Sequence, residues 1–162
     1  MIVIREERPD DRAAIRAVVE AAFGQPLEAE LVDRLRADGD SVISLVADDG
    51  GAIVGHVLFS RMQAPFTALG LAPVSVSPDR QRSGIGGRLI REGLDRARRD
   101  GWQVVVVLGD PDYYRRFGFE PALAAGFESP YAGPHLMAMP LGAAMPARLG
   151  RLDYAPAFAG LK

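Results

Sequence analysis

The chain has no cysteine among its 162 residues. That excludes disulfide frameworks, thiolate metal sites and a cysteine nucleophile, so any group it transfers moves without a cysteinyl intermediate. It has only two histidines, His56 and His135, far apart in sequence. They supply too few ligands for a zinc site, and no metal is expected. Long apolar runs are also missing: no stretch approaches the roughly 18 residues that mark a membrane span, so no membrane partner is expected. The opening Met1-Ile2-Val3-Ile4 turns charged at Arg5, Glu6, Glu7 and Arg8, too soon for the apolar region of a signal peptide, and a cytoplasmic chain is the expectation. Charge of one sign is scarce as well. Nineteen Lys and Arg against 21 Asp and Glu leave a net charge of -2, without the field of a nucleic-acid binder, so nucleic acid is not an expected partner.

What is present suits one compact domain over residues 1–162. Apolar residues make up 48% of the chain, enough for a core without disulfide, metal or partner subunit. Ile2 to Ile4 reads as a strand. Pro9, Asp10 and Asp11 open a helix whose inner face is Ile15, Val18, Val19, Ala22 and Phe23, stopped by Gly24. Pro26 starts a second helix with Leu27, Leu31 and Leu35 at helical spacing. Val42 to Ala47 and Ala52 to Ser60 read as a hairpin around Asp48-Asp49-Gly50-Gly51. Leu69 to Val76 extends the sheet, but Pro73 inside it lacks an amide hydrogen and predicts an edge, a bulge or a split. Ser83 to Asp100 is helical, with Ile85, Leu89, Ile90, Leu94 and Ala97 inward. The continuous run Val104 to Leu108 predicts a strand buried on both faces. A helical turn at Tyr113 to Phe117 follows. The tail after about residue 121 completes the domain, with strands predicted at Leu136 to Leu141 and at Arg151 to Tyr154. The order β-α-α-β-β-β-α-β-α-β-β describes an α/β fold: a mixed sheet with helices packed on it.

The segment from Val74 to Gly87 runs from a strand through a glycine-rich turn into a helix. The first turn of a helix has amide hydrogens without internal partners and partial positive charge, and glycines let an anion approach the backbone closely. The prediction is an anion cradle. A dinucleotide fingerprint would need a third glycine where Leu89 stands, and no Gly-Lys-Ser/Thr follows for a P-loop. The alternative to a ligand site is a tightly packed helix start, but three glycines beside Gln81, Arg80, Arg82 and Arg88 exceed what packing requires.

Gln81-x-x-Gly84-x-Gly86 resembles the pyrophosphate-binding signature of the GNAT superfamily of N-acetyltransferases. Ile4 to Phe23 is similar to that family's first strand and helix, Gly55 to Phe59 to its third strand, and Asp-Pro-Asp-Tyr-Tyr-Arg-Arg-Phe-Gly-Phe at Asp110 to Phe119 to its late motif. The resemblance implies the GNAT fold, a mixed central sheet flanked by helices with the fourth and fifth strands splayed. It implies transfer of an acetyl group from acetyl-CoA, as co-substrate, to the amine of an unidentified small-molecule or protein acceptor in a ternary complex. The rival is an acyl-CoA-binding sensor that has lost turnover. Gln81, Arg82, Ser83, Gly84, Ile85, Gly86 and Gly87 would hold the CoA phosphates. The backbone of Val74, Ser75 and Val76 would bond the pantetheine and polarise the thioester carbonyl. Tyr114, four residues before Gly118, matches the tyrosine that protonates the departing thiolate, the alternative being that Tyr113 and Tyr114 pack the helix onto the sheet. Glu28 is the candidate base, because the family's early helices border the acceptor site; a first-turn glutamate is also favoured by the helix dipole alone. His56, alternating with apolar neighbours, reads as a packed or cofactor-adjacent side chain rather than a base, and Asp110 and Asp112 as shaping a turn. Homodimers are common in the family.

Overall fold

The computed structural model describes residues 1–161, leaving only Lys162 outside. Strand β1 (Ile2–Glu6) leads through a 3-10 turn at Pro9–Asp11 into α1 (Arg12–Phe23) and then α2 (Leu27–Ala37). Gly24 ends α1 in the left-handed region, at φ 69°, where glycine carries no steric penalty. Next come β2 (Ser41–Asp49), β3 (Ala52–Arg61) and β4 (Ala68–Val76), then α3 (Ile85–Arg99) and β5 (Val104–Leu108). The hairpin turn between β2 and β3 falls where the Asp-Asp-Gly-Gly sequence puts it, and the Asp48 side chain accepts the Gly51 amide at 2.7 Å.

The main sheet has six strands in the order β1-β2-β3-β4-β5-β7, where β7 is Leu136–Pro140. Every neighbouring pair is antiparallel except β4 and β5, which are parallel. Alternation along the strands sends Leu45, Val57, Phe59, Leu71, Val105 and Val107 to the face covered by α3, and Val46 and Leu58 to the face covered by α1 and α2. Helix α3 buries Ile85, Leu89, Ile90, Leu94 and Ala97, as its periodicity predicts. It also uses Gly93 to approach the sheet: a Cβ there would lie 2.1 Å from the Phe59 ring. Val104 to Val107 are buried on both faces, the environment predicted for the continuous apolar run.

The irregularity predicted at Pro73 is a bulge and a split, not an edge. Strand β4 stays paired to β3, but the register shifts between Val57 and Phe59, opposite the Pro73 stretch. On its other side β4 meets β5 only from Ala68 to Gly70, opposite Val104 to Val106. Beyond Gly70 the two strands part, and β4 runs on to Val76 with no partner strand on that side among the described residues. The fourth and fifth strands are therefore splayed.

The tail departs from the sequence reading. The strand expected at Arg151 to Tyr154 shrinks to β8 (Gly150–Arg151), which pairs with β6 (Phe127–Glu128) in a separate two-stranded sheet. Beyond it Asp153 bridges to Gln63, and the Tyr154 ring settles on β4 over Gly70, where a Cβ would come within 2.6 Å of it. A ring filling a gap left by a distant glycine has no local sequence signal. Short helix α5 (Pro121–Ala124), strand β6 and the 3-10 segment Pro156–Leu161 were also not anticipated.

Candidate active site

The amino end of α3 sits beside the free end of β4. The Ser77 amide bonds the Val54 carbonyl at 2.9 Å, a 3-10 turn follows at Pro78–Arg80, and the Gln81 side chain donates back to the Val76 carbonyl at 3.1 Å. The Ser83 hydroxyl donates to the Arg80 carbonyl. Among the described residues Arg82 is the one non-glycine with positive φ, at 66°, and Gly84 follows at φ 86°. Alternation into the left-handed region turns successive amides inward and forms an anion-binding concavity. No side chain caps α3, so its first amides stay free for a ligand. Gly84 meets nothing within 4 Å, and a Cβ at Gly86 would stand 3.5 Å from the Tyr113 hydroxyl, an ordinary contact. Packing inside the protein therefore does not demand glycine at position 86. A ligand lying against the backbone would.

This loop opens on a cleft of about 390 Å³ whose lining includes Arg80, Arg82, Arg91, Arg116 and Tyr113, with no carboxylate among the described lining residues. Arg116 lies over the Tyr113 ring at 4.6 Å and Arg91 over Phe117 at 4.9 Å. Arg116 also donates Nε to the Tyr113 carbonyl at 2.9 Å, and the remaining donors of both cations, resting on aromatic faces, stay available for phosphate. Arg80 instead pairs with Asp49 at 2.7 Å, and Arg88 turns away to the Ile2 carbonyl at 3.0 Å. The sequence reading thus named Arg82 and Arg80 but missed Arg91 and Arg116. Arg91 lies one helical turn beyond Gly87, a spacing that could have suggested it.

Across the split, α4 (Pro111–Tyr114) starts at the Asp110 cap, whose carboxylate accepts the Asp112 amide at 2.9 Å. Asp110 shapes the turn, as expected. Tyr113 faces the cleft. Tyr114 packs on Gly109, where a Cβ would be 2.5 Å from its ring, and stands edge-on to Tyr113 and Phe119. Burial, with a smaller contribution from Tyr113, pushes the Tyr114 hydroxyl up to about 12. It is a protonated phenol at neutral pH, able to donate to a developing anion. The Tyr154 hydroxyl, from the tail, is buried without a partner among the described residues, and burial raises it further.

The remaining candidates separate. Glu28 lies in the first turn of α2 and accepts the Gln25 side chain at 3.1 Å; among the described residues no hydrogen bond or ion pair joins it to Tyr114, Ser75 or His56. His56 is fully buried on β3, with Nε2 2.8 Å from the Ser44 hydroxyl. Burial, reinforced by Arg36 and opposed by Glu7, lowers its pKa to about 4, so it is neutral and its 3.9 Å approach to Glu7 is not an ion pair. Among the described residues no group of three His, Asp or Glu side chains could hold a metal ion, and no helix is long and apolar enough to cross a membrane.

A mixed sheet parted between two parallel strands, with an uncapped glycine-rich helix start at the mouth and a buried phenol packed behind Tyr113, defines an acyltransferase. The chain belongs to the GNAT acetyltransferases: the acetyltransferase (GNAT) domain matches residues 3–122. It is 43% identical over 133 residues to the uncharacterised N-acetyltransferase YjhQ of Escherichia coli, an alignment covering 76% of this chain and 73% of that one. With the uncharacterised N-acetyltransferase YhbS of the same organism it shares 41% identity over 125 residues, 75% of each chain. Among solved structures, it superposes on Escherichia coli YhbS in complex with CoA with a TM-score of 0.91 at 33% identity, over 98% of this chain and 92% of that one. A Brucella melitensis GNAT acetyltransferase in complex with acetyl-CoA gives a TM-score of 0.84 at 42% identity over 98% of both chains.

Proposed function

We propose that the chain, acting as one domain, transfers the acetyl group of acetyl-CoA to the amine of an acceptor by direct attack in a ternary complex. The observation that carries this reading is the α3 cradle: free first-turn amides, a glycine that packing does not require, and a cleft lined by arginines without carboxylates. Gln81, Arg82, Ser83, Gly84, Ile85, Gly86 and Gly87 receive the pyrophosphate, with Arg91 and Arg116 adding charge. The β4 segment Val74, Ser75 and Val76 has backbone groups free of β5, so it can bond the pantetheine and hold the thioester carbonyl against an amide, where negative charge develops during attack. Tyr114 donates its proton to the departing thiolate. The complexes of similar proteins with CoA and acetyl-CoA support the same cofactor. Glu28, held by Gln25 in the first turn of α2, is assigned no proton transfer.

The first test is ligand-dependent stability. At 100 times its dissociation constant acetyl-CoA should stabilise the chain by about 2.7 kcal/mol, read as a rise in melting temperature, while NAD and ATP do much less. A folded, CoA-free protein that shows no such rise with acetyl-CoA defeats the assignment. Thiol release from acetyl-CoA across a panel of primary amines then separates a transferase from an acyl-CoA-binding sensor, which would bind without turnover.

A further inference from the structure

Four buried side-chain polar atoms lack a hydrogen-bond partner among the described residues: His56 Nδ1, Ser60 Oγ, Ser75 Oγ and Tyr154 Oη. Three of them share one face of adjacent strands. His56 and Ser60 alternate with Val57 and Phe59, and Ser75 with Val74 and Val76, whose side chains all turn toward α3. The orphans therefore lie on the opposite face, where Tyr154 also packs, over Gly70. The cradle is on the α3 side. A co-substrate anchored there would bring its thioester to the Val74 to Val76 segment that β5 leaves free, next to His56 in the β3–β4 register.

One orphan ends a continuous file. Arg36 of α2 grips Glu7 with two donors, each at 3.0 Å, and the Ser44 hydroxyl of β2 donates to the same carboxylate. Ser44 Oγ is 2.8 Å from His56 Nε2 on β3. The register partner of His56 on β4 is Ser75, in the middle of the segment that β5 leaves free. The proton bookkeeping along this file has one solution. Burial opposes ionisation of Glu7, but bonds from Arg36 and Ser44 outweigh it and hold the carboxyl below its usual range, so Glu7 only accepts. Ser44 has a single proton and gives it to Glu7. Its oxygen must then accept from His56, which fixes the neutral ring with hydrogen on Nε2 and a bare lone pair on Nδ1. That lone pair is the buried atom without a partner.

We propose that His56, aligned by Ser44 and Glu7, takes the proton that the acceptor nitrogen sheds after it has attacked the thioester. The proposal rests on the transferase reading above. Attack by a neutral amine gives a positively charged nitrogen far more acidic than the free ammonium, so a weak base suffices. The nitrogen's N–H bond breaks and the proton goes to Nδ1, giving an imidazolium. The Nε2 hydrogen stays bonded to Ser44, and Ser44 to the Glu7 carboxylate, whose negative charge steadies the imidazolium. The carbon-sulfur bond breaks with its electron pair on sulfur, and that thiolate takes its proton from Tyr114. Once product leaves, the Nδ1 proton is lost to solvent and the neutral ring with hydrogen on Nε2 returns. The charged groups bearing on the file are Glu7 after β1, Arg12 of α1 at 3.9 Å from Glu7, and Arg36 of α2. His56 is the proton acceptor; Ser44 and Glu7 are positioning residues.

The test has two independent readouts. In protein labelled with ¹⁵N-histidine, with His135→Gln used to assign the two rings, His56 should show a protonated Nε2 and a bare Nδ1 through neutral pH. A ring protonated on Nδ1 overturns the proposal. With acetyl-CoA and the fastest amine of the panel, Ser44→Ala and His56→Gln should each lower kcat by about 10²-fold with the KM for acetyl-CoA unchanged. The double variant should be no worse than either single, because the residues act as a unit. Ser44→Thr, which restores the hydroxyl, should recover most of the rate. Additive losses, or a Ser44→Ala enzyme as fast as wild type, overturn the file. If wild type itself releases no thiol with any amine, the transferase reading fails, and the proposal built on it falls whatever the tautomer.

Discussion

Two of the arginine-bearing clefts on this molecule differ in what their arginines face. The larger, about 640 Å³, lies where β1 ends and leaves the start of β2 uncovered, and it holds Arg36, Arg96 and Arg99. Each has a carboxylate: Arg36 meets Glu7 at 3.0 Å, Arg96 meets Glu6 at 2.7 Å and Arg99 meets Glu92 at 3.7 Å. The smaller, about 390 Å³ at the amino end of α3, holds Arg80, which pairs with Asp49, and Arg82, Arg91 and Arg116, for which no carboxylate partner appears among the described residues. Size would choose the first cleft as the ligand site; charge balance chooses the second. Paired ions satisfy one another and attract little, whereas unmatched cations over free amides make a field that a phosphate completes.

The comparison breaks most decisively at Tyr114, packed edge-on against Tyr113 of the smaller cleft. Tyr114→Phe keeps the ring against Gly109 and Phe119 but removes the proton assigned to the thiolate. Turnover should fall by roughly 10²–10⁴-fold with acetyl-CoA affinity little changed. Tyr113→Phe is the control, and near-wild-type rates in both variants would make Tyr114 a packing residue.

Next in size is Gly86→Val, which fills the smaller cleft where the phosphates would meet the backbone. Losing even two charge-assisted bonds, at about 1.5–3 kcal/mol each, weakens CoA binding by roughly 10²–10⁴-fold. The melting temperature should stay near wild type, because the new Cβ meets only ordinary contacts. Unchanged affinity by calorimetry would remove the cradle.

The smallest effect belongs to the paired charges near the larger cleft. Arg5 donates two hydrogen bonds to Asp11, at 2.7 and 3.0 Å, and holds its carboxyl down to about 2 from an ordinary 3.8. The folded pKa is depressed, so the stabilisation is complete above the unfolded value and is lost as pH falls from about 4 through 2. Its size is on the order of 1–2 kcal/mol after screening at a partly solvated site. Asp11→Asn should flatten that part of the acid unfolding curve and leave CoA affinity unchanged. An identical curve in the variant would show the pair to be neutral to stability.

Much of the frame was legible because its signals are local. The period of α3, the β-branched run of β5 and the Asp-Asp-Gly-Gly hairpin each report on their own few residues, and the Gly84-x-Gly86 turn announces free amides whatever packs around it. Pro73 was legible only as a choice among edge, bulge and split. Its missing amide hydrogen says that a ladder bond is lost, and only the neighbours say on which side. The tail was read least well. Its short strands and the seat of Tyr154 depend on partners such as Gly70, more than 80 residues away, and no periodicity encodes such a partner.

By itself the sequence determined that no cysteine chemistry takes part, that the sheet is mixed, that a helix opens on glycines, and that a tyrosine precedes a Gly-Phe turn at a fixed spacing. These follow from residue type and short-range backbone preference. Tertiary structure alone decided which charges are spent on one another. Arg80 and Arg88 are engaged elsewhere while Arg91 and Arg116 face the cleft, and Glu7, Ser44 and His56 come from three separate elements to form one file. Charge pairing and proton direction depend on distances between residues remote in sequence, and those distances exist only once the sheet has closed around them.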